Sequence, residues 1–242
     1  MFRLGPLHIN MYGIMFALGV LVATFLAIKE AEKRNIKKEV IYDLVFYLLI
    51  GMIVGARLFY VIFYWPKDMA FNFFDIFKIW EGGLSFFGGL IGALTVGYIY
   101  VNKNKLDFWQ YADIFAIPLV AGHIFGRLGD YFTGGHPGKI TELPWAIYMD
   151  NALRHPVVLY EIIGLCIIVI ILLNLKKIKS FEGFLFLSYI MLYSTQRMIL
   201  DFFRDDMETR YLGLTPSQYI AVFLFMLAAY LLIKKRYTNT LK

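Results

Sequence analysis

The sequence predicts an all-α integral membrane protein of about seven transmembrane helices, on three observations. Sixty per cent of its 242 residues are hydrophobic and 17% are charged, against about 45–50% and about 25% in ordinary soluble domains. Seven apolar runs approach the roughly 20 residues that a helix needs to cross a bilayer. The basic residues crowd onto alternate links between those runs, as the positive-inside bias requires. Together these exclude a soluble enzyme, a disordered tail and a disulfide scaffold. The single cysteine, Cys166, has no internal partner for a disulfide, and its apolar surroundings read as those of an inert core residue.

The runs begin near Met11, Val40, Leu84, Phe108, Val157, Phe181 and Pro216. They end near Ile28, Trp65, Val101, Tyr131, Leu175, Leu200 and Ile233. The first has no basic leader and no small-residue cleavage site after it, so it reads as a span and not as a cleaved signal peptide. No tandem repeat interrupts the series, and residues 1–242 read as one polytopic domain.

Orientation follows from the links. The stretches Lys29 to Lys38, Lys103 to Lys105, Lys176 to Lys179 and Lys234 to Lys242 hold 14 Lys and Arg on one side, against 7 on the other. The richer side is expected to be cytoplasmic, which puts the N-terminus outside and the C-terminus inside. The formal net charge of +6 is thereby explained by topology and anionic lipid headgroups, and nucleic acid is not needed as a partner. Two outer segments, Pro66–Gly83 and Thr133–Pro156, are long and aromatic. They read as short arms lying on the outer surface or as an ordinary interfacial belt of aromatic rings.

Three basic residues fall inside the runs: Arg57, Arg127 and Arg197. A charge at the bilayer centre costs about 2.5–3.5 kcal/mol even on the lenient insertion scale, and such residues usually face the bundle interior. Asp113, Asp130, Glu161 and Asp201 accompany them, so internal salt bridges that set helix register are one reading. The other is a phosphate site, because the guanidinium is always charged and its planar donor fork matches phosphate. Helical spacing supports a shared face: His123, Arg127 and Asp130 are four and three residues apart, and Tyr193, Arg197 and Asp201 each four apart. Glycines are dense around the first group, including Gly122, Gly126, Gly129, Gly134, Gly135 and Gly138, and small residues let helices and ligands approach closely. Composition alone fits a channel or transporter equally well.

At these residues the chain resembles the prolipoprotein diacylglyceryl transferases, integral membrane enzymes of bacteria. The resemblance runs in order through Met11–Gly19, Gly55-Ala56-Arg57, Trp80–Phe86 with Gly88-Gly89, and Gly126-Arg127-Leu128-Gly129. It continues through Arg154-His155-Pro156 with Leu159-Tyr160-Glu161, and through Tyr193, Arg197, Asp201 and Arg204. It implies transfer of a diacylglyceryl group from phosphatidylglycerol to the lipobox cysteine of a preprolipoprotein, forming a thioether and releasing glycerol 1-phosphate. It implies a multi-pass protein of the inner membrane, no metal and no organic cofactor. Its partners are then phosphatidylglycerol, the signal-peptide region of the acceptor and membrane lipid. Carried onto matching positions, Arg127 binds the headgroup, Arg197 clamps the phosphate, and the hydroxyls of Tyr12 and Tyr193 meet lipid oxygens or position the arginines. The candidate substrate-binding set is Arg127, Arg57, Gly126, Asp130, Gly138 and Arg204.

Departures from the family pattern are local. Where the family has Ser-Phe-His-Gly-Gly, this chain has Ser85-Phe86-Phe87-Gly88-Gly89, and Phe87 cannot titrate. After Gly129, Asp130 stands for the usual Asn and Gly135 for the usual Glu. Asp130 can pair with Arg127, orient it or accept a proton. His123 and His136 are the candidates to replace the missing base, since an unperturbed histidine titrates near 6.5. A non-catalytic relative that binds phospholipid or lipoprotein remains the alternative, as does a transferase with another lipid donor. A small transporter finds no support, because the two halves share no motif.

Overall fold

The computed structural model describes residues 2–4, 7–63, 73–78, 82–205 and 210–240. Seven α-helices occur among them: α1 Met11–Glu32, α2 Lys38–Phe63, α3 Phe86–Lys103, α4 Phe108–Thr133, α5 Val157–Lys177, α6 Phe184–Leu200 and α7 Pro216–Thr240. Two short antiparallel hairpins accompany them, β1 Phe2–Leu4 with β2 Leu7–Ile9, and β3 Ile147–Met149 with β4 Ala152–Arg154. Five helices, α1, α2, α4, α5 and α7, are long and apolar enough to cross a membrane. The remaining two are the shortest, α3 with 18 residues and α6 with 17.

The surface is apolar, unlike that of a water-soluble protein, and charged groups share the interior with the apolar core. Large apolar side chains such as Leu21, Ile62, Leu94, Ile170, Phe223 and Ile233 are exposed, whereas Arg57, Asp113, Glu161, Asp201, Arg204 and Gln218 are buried. Outward apolar surface and inward polar groups are what a bilayer solvent selects. Cys166 follows the same rule and is exposed, which corrects its reading as a core residue. The inward stripe of α5 is Glu161, Leu165, Ile168 and Leu172, and Cys166 lies one residue, about 100°, off it.

The chain forms two compact units, Met1–Ala27 with Ala112–Lys242, and Ile28–Tyr111. In the second unit α2 and α3 pack antiparallel through glycines. A Cβ on Gly51 would lie 2.7 Å from the Gly92 carbonyl oxygen, and one on Gly55 would lie 2.8 Å from Gly92 Cα. Lipid offers no hydrophobic drive between helices, so such close backbone packing is what holds a pair together. Arg57 lies in this unit. Its Nε donates to the Ile76 carbonyl at 2.9 Å, and Nη1 donates to those of Gly82 at 2.6 Å and Gly83 at 3.0 Å. Most of the expected first outer arm, 66–72 and 79–81, lies outside the described residues; Phe73–Phe77 within it is a short 3-10 helix.

In the first unit α1 and α4 also meet at glycines. A Cβ on Gly19 would lie 2.8 Å from the Gly122 carbonyl oxygen, and one on Gly129 would lie 3.1 Å from Tyr12 Cα. Val120 of α4 and Leu165, Ile168 and Leu172 of α5 form the core, with Tyr189, Leu192 and Tyr193 of α6 packed on it. Asp113 of α4 accepts from the Gly183 and Phe186 amides at 2.9 Å each and meets Lys179 Nζ at 3.0 Å. It thereby satisfies two amides at the start of α6, those of Gly183 and Phe186, and the helix begins at Phe184, three residues after the expected Phe181. The expected second outer arm contains the β3–β4 hairpin. Its turn residues Asp150 and Asn151 have φ of 48° and 60°, the left-handed pair that a two-residue hairpin turn demands.

Candidate active site

All of the site residues that follow belong to the first unit. The centre is Glu161, one turn into α5 and 4% exposed. Three guanidiniums converge on its carboxylate. Arg127 Nε from α4 approaches Oε2 at 3.0 Å, while Arg197 Nη1 from α6 and Arg204 Nη1 from the following turn approach Oε1 at 3.3 and 3.5 Å. Each arginine has a further anionic or polar neighbour. Arg127 Nη1 donates to Asp130 at 2.8 Å. Arg197 Nη2 meets Asp201 at 3.0 Å and donates to the Ser217 hydroxyl at 3.2 Å. Arg204 donates to His136 Nδ1. The opposite ring nitrogen, Nε2, lies 3.9 Å from Asp130.

Local structure explains these placements. Arg127 with Asp130 and Arg197 with Asp201 are helical neighbours, so each pair lies on one face. Arg204 and His136 are 68 residues apart in sequence and are brought together by backbone pairing. Gly138 bridges Arg204, Lys139 N donates to the Phe203 carbonyl at 2.8 Å, and Asp205 N donates to the Pro137 carbonyl at 3.0 Å. Gly138 has no room for a side chain, since a Cβ there would lie 2.8 Å from His155 Cβ. Arg154 pins the same loop by donating to the Gly138 carbonyl at 2.9 Å and to Asp205. The first turn of α7 closes the cluster: Thr215 donates to Asp201, Ser217 donates to Asp201 at 3.0 Å, and Gln218 donates to the Met198 carbonyl at 3.0 Å.

The arrangement balances three arginines with three carboxylates, Glu161, Asp130 and Asp201. Removing ions from water is tolerable only with such mutual pairing. A narrow crevice, with no room for a water molecule in this arrangement, is lined by His123, Arg127, Glu161, Tyr193, Gln196 and Arg197, with Leu165 and Leu200 beside them. Arginine donors at the wall of a dry cleft are placed to hold a phosphoryl group and to stabilise charge that develops on its oxygens.

The sequence-derived candidates distribute as follows. Arg127, Arg197, Arg204 and Asp130 meet in one network, and His136 joins it through Arg204. His123 lines the cleft with its ring centroid 5.2 Å from that of Tyr193. Tyr12 lies against Gly129, half-exposed and stacked on Phe16 at 6.5 Å. Gly126 borders open space, where a Cβ would meet nothing within 4 Å. Arg57 and Phe87 lie in the other unit; the described bonds of Arg57 run to main-chain carbonyls, and Phe87 is exposed and packs edge-on against Phe86. Sequence reasoning treats Glu161 only as an accompanying acid and passes over Thr215 and Ser217. The signal for Glu161 is present: it is the one acid in the apolar run from Val157 to Leu175.

Comparison with known proteins adds an independent finding. Residues 1–234 match the family model described as prolipoprotein diacylglyceryl transferase. Among similar proteins is the phosphatidylglycerol–prolipoprotein diacylglyceryl transferase of Bacillus velezensis, 34% identical over 97% of this chain and 91% of the relative. The protein of the same name from Campylobacter lari is 35% identical over 95% of this chain and 90% of its own. That from Aliarcobacter butzleri is 38% identical over 84% and 79% respectively.

Proposed function

The chain belongs to the prolipoprotein diacylglyceryl transferase family, and on that premise we propose that it moves a diacylglyceryl group from phosphatidylglycerol to the lipobox cysteine of a preprolipoprotein. The acceptor sulfur, as thiolate, attacks the glyceryl carbon that carries the phosphate ester. A carbon–sulfur bond forms, the carbon–oxygen bond breaks, and glycerol 1-phosphate leaves with the bonding electron pair on its phosphate oxygen. The thiol proton ends on that phosphate or on solvent. Cys166 takes no part, since the reacting cysteine belongs to the acceptor.

The observation that carries this reading is the convergence of Arg127, Arg197 and Arg204 on Glu161 beside a cleft within an apolar helical unit. Arg127 and Arg197 hold the headgroup phosphate and stabilise the charge that accumulates as it leaves. Arg204 and Asp130 complete the binding wall with Gly126 and Gly138, and Tyr193 orients the lipid from α6. His123 is the histidine that lines the cleft, which favours a transferase over a phospholipid-binding relative without chemistry. His136 is a poorer proton acceptor in this arrangement. Arg204 donates to Nδ1, so the lone pair there is occupied and Nε2 carries the proton that faces Asp130. The seven helices cross the inner membrane with the N-terminus outside and the C-terminus in the cytoplasm, in accord with the basic links.

The test is direct. Purified protein in detergent is mixed with phosphatidylglycerol and a lipobox peptide, with a Cys→Ala peptide as control. Mass spectrometry of the peptide is expected to show a diacylglyceryl adduct on cysteine alone. Phosphatidylglycerol bound without adduct formation would instead support the non-catalytic relative.

A further inference from the structure

Gln196 is a polar residue of the cleft that the phosphate chemistry does not use. It projects from α6, one residue before Arg197. Its Nε2 donates to the main-chain carbonyl of Glu161 at 2.9 Å. That carbonyl can only accept, so the amide cannot be turned over without setting oxygen against oxygen. The remaining atom, Oε1, is buried and has no donor. Glycine on the facing helix makes room for it: a Cβ on Gly164 would lie 2.7 Å from Gln196 Oε1 and Cδ. A second acceptor in the same cleft, Glu161 Oε2, faces Arg127 at 3.0 Å but is likewise buried without a hydrogen bond. Buried acceptors are ordinarily satisfied, and each exception calls for a reason.

We infer that Gln196 Oε1 reads the glycerol hydroxyls of the donor's headgroup. The inference rests on the transferase reading and names what in this chain selects the donor. A polyol phosphate is the ligand that complements the site: its phosphate meets Arg127 and Arg197, and its hydroxyls, a few bonds away, supply the donor that Gln196 Oε1 lacks. A site built to bond a hydroxyl rejects an analogue without it, because its own acceptor is then left buried and unsatisfied.

The experiment compares phosphatidylglycerol with phosphatidylpropanol, whose headgroup has the same three carbons and no hydroxyl, in the peptide-transfer assay. Wild-type protein is expected to prefer phosphatidylglycerol in kcat/KM by at least about tenfold. In Gln196→Leu the ratio falls toward one, because the rate with phosphatidylglycerol drops and that with phosphatidylpropanol does not follow. Gly164→Ala, which displaces the same amide from the facing helix, lowers the ratio without altering Gln196 and serves if the leucine variant does not fold. Loss on both lipids alike in folded variants, or no preference in the wild type, overturns the inference and leaves the transferase reading intact. Transfer from neither lipid by the wild type overturns both. Competition by free glycerol 1-phosphate and propyl phosphate separates the sources. A preference among the free esters with none among the lipids would mean that the subsite reads the product, and the headgroup assignment falls.

Discussion

Arg57 and the Arg127–Arg197–Arg204 group are all arginines of an apolar, helical chain, yet they are engaged differently. Among the described residues, the hydrogen bonds of Arg57 run to main-chain carbonyls of residues 76, 82 and 83, groups that carry no net charge. The other three share a side-chain carboxylate, with aspartates, a serine and a histidine as further partners. A guanidinium on carbonyls ties a loop to a helix. Guanidiniums on a shared carboxylate keep donors beside a cleft where another anion can be received. The chemistry of the partner thus tells more than the presence of a buried charge.

The largest effect is expected from removing the shared counter-ion. Glu161→Ala leaves three guanidiniums without their common carboxylate, and breaking a buried ionic group in this way costs about 3–5 kcal/mol. Thermal unfolding in detergent should show a large loss of stability, whereas a melting temperature like the wild type's would mean that Glu161 does not organise the cluster. Arg57→Ala should cost about 1–3 kcal/mol for carbonyls deprived of their donor. Its main signature is lower stability, with any change in transfer secondary. A loss of transfer as deep as that of the cleft arginines at unchanged stability would erase the contrast between the two settings. The smallest effect belongs to Ser217, which touches Arg197 and Asp201 only from the side. Ser217→Ala should lower kcat a few-fold with KM little changed, and Ser217→Thr should restore it; equal loss in both variants would speak against a positioning role.

The legible part of the molecule was that governed by periodicity. Apolar runs located all seven helices, with ends within four residues except that α7 continues from Ile233 to Thr240, and α4 continues through Pro118. The i,i+3 pair Arg127–Asp130 and the i,i+4 pair Arg197–Asp201 were readable from spacing alone and are both present as ion pairs. Contacts set by tertiary structure were not readable. His136 reaches Arg204 only because two distant loops pair backbone to backbone. The glycine seam of Gly51 and Gly55 against Gly88 and Gly92 needed the facing helix to be known. The hairpins are three residues per strand, too short to leave an alternating pattern. Cys166 was misplaced because an apolar run does not distinguish an inward face from a lipid-facing one, whereas in a bilayer both are hydrophobic.

The most direct measurement is lipid-to-peptide transfer by Arg127→Ala and Arg197→Ala, each checked for native helix content and melting behaviour. Loss of an electrostatic donor at the reacting group costs about 10²–10³-fold in rate, so each folded variant is expected to lose the diacylglyceryl adduct at least to that extent. Transfer at the wild-type rate by either folded variant would contradict the assignment of the arginine cleft as the place where the headgroup phosphate is held.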